Sequence, residues 1–417
     1  MNNIRVQSIP APGVSPTGPV SNSPTSIVRS TAPQVRAGSL RLGNPAIVLS
    51  RDPKNLFEPM HFQAFASDVP QGSPATPDLL NPDRIFNPEV YSGLMVQMPD
   101  GQLVEFWGFF DSTTPLVRTF PSSTIRVVEG EIFHGHLTRH KNTHTIHWHG
   151  MEPTAMNDGV GKLSFEVSGG AGYTYQMLAG AAGTYFYHCH KNTLLHFEMG
   201  MYGMLIIDPP GKGGPFVDGG PGWVRRGNDI VPYDVEAIWV SDDVDPRWHI
   251  IGAADHSAGF PLPGTTLMAY NDPQNPHFDN FSPRYFLITG RPHPWSRNLP
   301  GNQVDSGVAA TVRVGQTLLV RLLCAAYSLN KYTISGLNAE VIAMDGRVLG
   351  QDPYTKYSRP FTIAAGVPFE LTAARRFDLL IKPTARDIGS HRVAVEFHHH
   401  INQEQMGIAE TFIHVVP

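Results

Sequence analysis

Cysteine is scarce in this chain, with only Cys189 and Cys324 among 417 residues, so a disulfide framework is not what holds it together. Both read as reduced thiols, and Cys324, at the end of the apolar run from Leu318, reads as a core residue. Charge is sparse as well. Charged residues are 16% of the total and the formal net charge is −5, which gives no basic field for nucleic acid or an anionic membrane surface. No apolar run approaches the roughly 18 residues that a membrane span needs. The N-terminus shows no charged-then-apolar signal pattern. What the chain has in quantity is 40 glycines and 37 prolines, the composition of many short strands joined by turns. An all-β class follows, and the length suffices for more than one domain.

Residues 1–85 are rich in Pro, Ser, Thr and Ala and read as an extended N-terminal arm. From Phe86 the pattern turns strand-like, with runs at 94–98, 103–107, 123–128, 131–137, 173–177, 184–190 and 203–207. These make a first domain over 86–210. Residues 211–230 form a Gly/Pro linker, and strand signals resume at 234–240, 284–288 and 312–323 in a second domain over 231–417. A long stretch holding His249, His256 and His277 has no assigned structure. A weak repeat links the halves: residues 126–131 and 312–316 each open an alternating strand, and Gly183 to His190 and Gly389 to His400 each run from a glycine to an H-x-H strand.

The chemistry concentrates around His188, Cys189 and His190. A strand alternates its side chains, so Cys189 faces one way while His188 and His190 face the other. One strand can therefore serve two metal sites. His147 and His149, two apart, share a face, and His144 is odd relative to them. His144, Cys189 and His196 with Met201 make the two-imidazole, thiolate and weak thioether set of blue copper, because soft sulfur ligands select copper over calcium or magnesium. His134 and His136 share a strand face opposite Phe133, Gly135 and Leu137, and are expected to point outward.

The stretch from Ser123 to Asp208 resembles the copper-binding cupredoxin domain of multicopper oxidases of the laccase group. The resemblance rests on residues 147–150 (HWHG), 157–159 (NDG), 182–190 (AGTYFYHCH), and His196 followed by Gly200 and Met201. Residues 231–417, with 334–336 (ISG), 344–346 (MDG) and 376–381 (RFDLLI), resemble a second, copper-poor cupredoxin domain. The resemblance implies two cupredoxin-like Greek-key β-sandwiches. It implies type 1 copper at His144, Cys189, His196 and Met201, and places His147, His149, His188 and His190 at a type 2/type 3 copper cluster. Asp158 matches an acidic residue that delivers protons there. The second half departs from the family pattern: it offers one H-x-H pair, His398 and His400, while Thr333 and Ser335, placed by Gly336 against Gly150, stand where another pair would be. A neighbouring subunit is expected to bring His398 and His400, in a homo-oligomer, a trimer. Electrons are expected to come from a small-molecule reductant or an electron-donor protein, with dioxygen as acceptor. The alternatives are a copper nitrite reductase, which the same halves resemble, and a non-catalytic blue-copper electron-transfer protein. The family implies a periplasmic or extracellular location.

Overall fold

The computed structural model describes residues 82–113, 118–137, 143–151, 153, 157–160, 166–167, 172–250, 252, 281–297, 307–351 and 358–417. The expected arm lies outside these residues up to position 81, as do His256 and His277. Among the described residues no helix is long and apolar enough to cross a membrane. The architecture is all-β, as the glycine and proline content indicates.

In the first half, one sheet orders the strands Ser122–Val128, Tyr202–Asp208, Gly183–His188 and His147–His149. The first pair is parallel and the others antiparallel. A second sheet holds Arg84–Phe86, Ile132–Leu137 and Tyr173–Leu178, and the inward side chains of both sheets share one core around Trp148, Tyr175, Tyr187 and Leu205. All six residues of Gly183–His188 are buried. Alternation explains half of this: Tyr185 and Tyr187 enter the core. The other face is covered by the second half, where Phe186, Tyr202 and Met204 pack on Val240, Leu323 and Ala325. Burying a ring such as Phe186 contributes about 1.5–3 kcal/mol, so the two halves are held together through the strand that leads to Cys189.

The second half has an eight-stranded and a five-stranded sheet around its own core. Its five-stranded sheet repeats the order of the first half: Ala310–Arg313 runs parallel to Gln405–Val416, which pairs with Gly389–His398, which pairs with Leu329–Ile334. The sequence repeat is therefore a structural one. The expected single strand over 312–323 is two, Ala310–Arg313 and Leu318–Cys324, in different sheets. Gly315, at φ 84°, turns the chain between them, a conformation that a residue with a Cβ adopts at a cost.

A buried ionic network joins the halves. Arg321, with 1% of its side chain exposed, donates from Nε to Glu236 at 2.7 Å and from Nη1 to the Thr184 hydroxyl at 2.9 Å, and its Nη1 lies 3.3 Å from Asp378. Arg126 of the first half pairs with Glu236 and with Asp208, at 3.0 Å from the latter.

Candidate metal centre

Cys189 directly follows the strand Gly183–His188, and its N–H donates to the Met201 carbonyl at 3.0 Å. The strand alternation sends Cys189 into the first core with Trp148 and Tyr187. Its Sγ lies 3.6 Å from His144 Nδ1 and 3.2 Å from His196 Nδ1. A tetrahedral metal with bonds of about 2.0 Å to nitrogen and about 2.3 Å to sulfur holds such atoms about 3.5 Å apart, so the three donors have the spacing of a metal site. His144 is fixed by a two-way backbone bridge to Val167 at 3.0 Å. His196 is fixed by the short helix Thr193–Glu198, which turns it back toward Cys189, and by an edge contact with Trp107, ring centroids 5.6 Å apart. Met201 is buried in the same core, and its N–H donates to the His196 carbonyl at 3.0 Å. Burial pushes the Cys189 thiol up to about 11. A thiol in such surroundings ionises when a cation sits beside it, and the donor set suits a soft one.

The histidine set lies on the opposite face. Trp148 is fully buried in the core, so its neighbours His147 and His149 project the other way. His147 is paired across the sheet with His188. His149 Nδ1 and His188 Nε2 are 3.3 Å apart, the separation that two nitrogens about 2.0 Å from one tetrahedral metal would have. One ligand atom from each of His147, His149 and His188 lies within 4.8 Å of the others. Two of the rings are oriented by carbonyls: His147 Nδ1 donates to Asp158 O at 2.7 Å and His188 Nδ1 to Cys189 O at 3.0 Å. Since a carbonyl only accepts, Nε2 of each ring is left as the lone-pair nitrogen. His190 sits at the edge, its ring centroid 5.5 Å from that of His147 and 5.7 Å from that of His188. Burial, aided by the Arg376 charge, brings His149 down to about 3, and burial holds His188 well below the usual imidazole range and lowers His190. All three are neutral near pH 7, the form that ligates.

Residues 157–159 brace this set. Asn157 is buried and accepts the Gln176 N–H at 2.8 Å. Asp158 Oδ1 lies 3.6 Å from His147 Nδ1. Gly159 has φ 75°, and a side chain there would overlap the Ile146 carbonyl.

The second-half histidines lie elsewhere in the chain. His398 Nδ1 is 3.0 Å from Gln403 O and its Nε2 is 3.1 Å from Glu396, while His400 Nε2 donates to Tyr327 O at 2.6 Å. Strand register also corrects the placement of Thr333 and Ser335. With His147 opposite His188 and Leu329 opposite His398, it is Leu329 and Lys331 that occupy the positions of His147 and His149. His134 is corrected too: it is 5% exposed rather than outward-facing, opposite its buried cross-strand partner Gln176, and His136 Nδ1 lies 2.6 Å from the Thr174 hydroxyl. Cys324 is a buried free thiol, as expected. Sequence reading missed the second half's arginines. Arg347, Arg375 and Arg376 line a cavity of about 580 Å³ together with His147, His149 and Asp158.

Residues 112–212 match the multicopper oxidase family. The match spans about a quarter of the chain, and this stretch is similar to that family's domain. Over 103 residues, 23% of this chain, the sequence is 40% identical to an L-ascorbate oxidase of Cucumis sativus, and over 102 residues, again 23%, it is 38% identical to a laccase of Aspergillus fumigatus. In each case 17% of the relative's length is covered, so the similarity spans about a sixth of these curated relatives. The fold extends further. A blue copper oxidase from Nitrosomonas europaea superposes with TM-score 0.54 at 20% identity, over 80% of this chain and 86% of that one. A second multicopper oxidase gives TM-score 0.52 at 20% identity, over 80% and 87%. These neighbours establish a cupredoxin-like fold for both halves. The matched stretch contains His144, Cys189, His196 and Met201 and also His147, His149, His188 and His190, whereas the arginines of the cavity and His398 and His400 fall outside it. Copper is the cofactor this family implies, and the donor spacing and the neutral, buried imidazoles fit it.

Proposed function

We propose that the chain is a copper-dependent oxidoreductase of the multicopper-oxidase type, taking electrons from a small reductant or a donor protein and reducing dioxygen. One observation carries this reading: a Cys/His₂ donor set and a three-histidine set lie on opposite faces of one strand, joined by the peptide bond between His188 and Cys189. Copper, when bound, supplies one-electron redox chemistry at both. The chain supplies the connection between them, since the backbone links His188 to Cys189 and the His188 Nδ1–H also donates to Cys189 O. His144, Cys189, His196 and Met201 would hold the type 1 ion, and His147, His149, His188 and His190 the second centre. Asp158, which lies beside His147 and lines the cavity, would pass protons to that centre.

The same reading gives a second role to the far half. Three imidazoles converge in one chain, and His398 and His400 of a neighbouring copy are proposed to complete the centre, in a homotrimer of two-domain chains (86–210 and 231–417) working in the periplasm or outside the cell. The three-histidine convergence also suits a single copper, as in a nitrite reductase, which is the second reading. A carrier without a competent second centre is the third.

Metal content and turnover decide among them. About three or more coppers per chain with oxygen consumption supports the oxidase, about two with nitrite consumption supports the second reading, and about one with neither supports a carrier. Cys189→Ser should abolish an intense visible thiolate-to-copper band and stop turnover. An unchanged band would sink the assignment of Cys189.

A further inference from the structure

The second half sets guanidinium groups at the mouth of the histidine set, and the proposed electron transfer leaves them without a use. Arg376 opens the strand Arg376–Ile381, and 4% of its side chain is exposed. Its Nε donates to Thr184 O at 3.4 Å, its Nη1 donates to Ala374 O, and its Cζ lies 5.4 Å from the centre of the Phe186 ring. Among the described residues its Nη2 makes no hydrogen bond, and that nitrogen lies against Gly150, where any side chain would overlap it. Gly150 and the neighbouring His149 line the cavity. The missing side chain at Gly150 thus leaves room for an unused pair of donors next to the imidazoles.

Two of these donors share one acceptor. Asp345, 3.8 Å from Arg376 Nη1, already lies 3.0 Å from Arg375 Nε, so two guanidiniums share one carboxylate. Arg347 lines the same space. Among the described residues, the lining brings three guanidiniums and the carboxylates of Asp158 and Asp345 to one cavity. A guanidinium does not shed its proton. With the rest of its side chain buried, Arg376 presents Nη2 to the cavity, where an anion would gain a charge-assisted hydrogen bond.

We infer that this cavity is an oxyanion site, in which Arg376, assisted by Arg375 and Arg347, holds a small carboxylate or inorganic oxyanion against the edge formed by His147 and His149. The volume of about 580 Å³ has room for a small anion and its water. The planar fork of a guanidinium matches two oxygens of one anion, which makes this chemistry more selective than a point charge. The inference rests on the arginines and the cavity alone, and stands apart from the proposed redox function.

The test is calorimetric titration of the full chain, copper-loaded and copper-stripped, with formate, nitrite and inorganic phosphate in low-chloride buffer. Saturable binding is expected to weaken about tenfold in Arg376→Gln, less in Arg376→Lys, which keeps the charge and loses the fork, and a few-fold in Arg375→Gln. Preference for formate and nitrite would assign a planar anion, and preference for phosphate a tetrahedral one. Should Arg376→Gln fail to fold, Arg375→Gln decides, because its side chain is 39% exposed. Equal affinity in wild type and in the folded variants, or no saturable binding below about 10 mM, would overturn the inference. So would binding that disappears with copper and ignores the arginines. Arginine-dependent binding in a chain that takes up no copper would uphold the anion site while removing the proposed function.

Discussion

Arg321→Ala should separate the two halves energetically, and the size of the effect can be worked from its partners. Arg321 is buried, with Nε 2.7 Å from Glu236 and Nη1 3.3 Å from Asp378, and its hydrogen bond to Thr184 reaches into the strand that precedes Cys189. Removing one partner of a buried ion pair costs about 3–5 kcal/mol, because the remaining charge keeps its desolvation penalty. Here Glu236 retains Arg126, while Asp378 loses its closest cation and keeps the Thr184 hydroxyl. The lower end, about 3 kcal/mol, is therefore expected. The pH dependence follows from the same carboxylates. Burial raises Glu236, but Arg321 and then Arg126 bring it below the ordinary range, so its contribution is full above the unfolded value and is lost as pH falls through the folded one. In the variant both carboxylates shift upward, and a carboxylate raised in the folded state gains stability as pH falls. The deficit should thus be greatest near neutral pH and shrink towards about pH 5. Equilibrium denaturation followed by tryptophan fluorescence at several pH values measures it. A deficit below about 1 kcal/mol at pH 7, or one that widens on acidification, would refute the reasoning.

Two further outcomes bear on the histidine set. His398→Ala should lower the copper bound at the second centre and leave the Cys189 band intact, and normal copper content in the assembled protein would refute the shared-site proposal. Gly159→Ala should cost at least about 1–2 kcal/mol for the left-handed backbone alone, and overlap with Ile146 O should push Asp158 off His147. Thermal unfolding and metal analysis would report lower stability and weaker retention at the histidine set, and a stable variant with full copper would contradict that account.

Much of the centre is legible in the sequence because a strand has a period of two. From that period alone, Cys189 falls on the core face with Tyr185 and Tyr187, and His188 on the face with Thr184 and Phe186. The same rule separates Trp148 from His147 and His149. The repeat between the halves was readable as well, since both copies run from a glycine into the H-x-H strand. What stayed hidden depends on contacts across the fold. His134 looked outward-facing because its strand alternates, but a polar side chain's exposure is set by what packs over it. The Gly336 match misplaced the second half's counterparts by four positions, and inter-strand register moved them to Leu329 and Lys331. Arg376 entered only as the first residue of the 376–381 stretch, because nothing in its neighbourhood along the chain shows that position 376 meets Gly150 in space.

That meeting changes how the strand from Gly183 to Cys189 is understood. An isolated cupredoxin sheet would present Thr184, Phe186 and His188 to water, and the outer imidazoles would be solvated and titrate near their ordinary values. Here the second half covers them, with Phe186 against Val240 and Leu323 and Thr184 between Arg321 and Asp378. Burial keeps His149 and His188 neutral and ready to ligate. The second half also brings a cationic edge to that face, since Arg376 opposes the charging of His149. A metal cation bound by neutral imidazoles adds positive charge beside Arg376, and in a low-dielectric site that repulsion is large. An oxyanion in the adjoining cavity would offset both charges at once. If the anion site is as inferred, metal and anion occupancy would be coupled by electrostatics, and by linkage each would raise the affinity of the other.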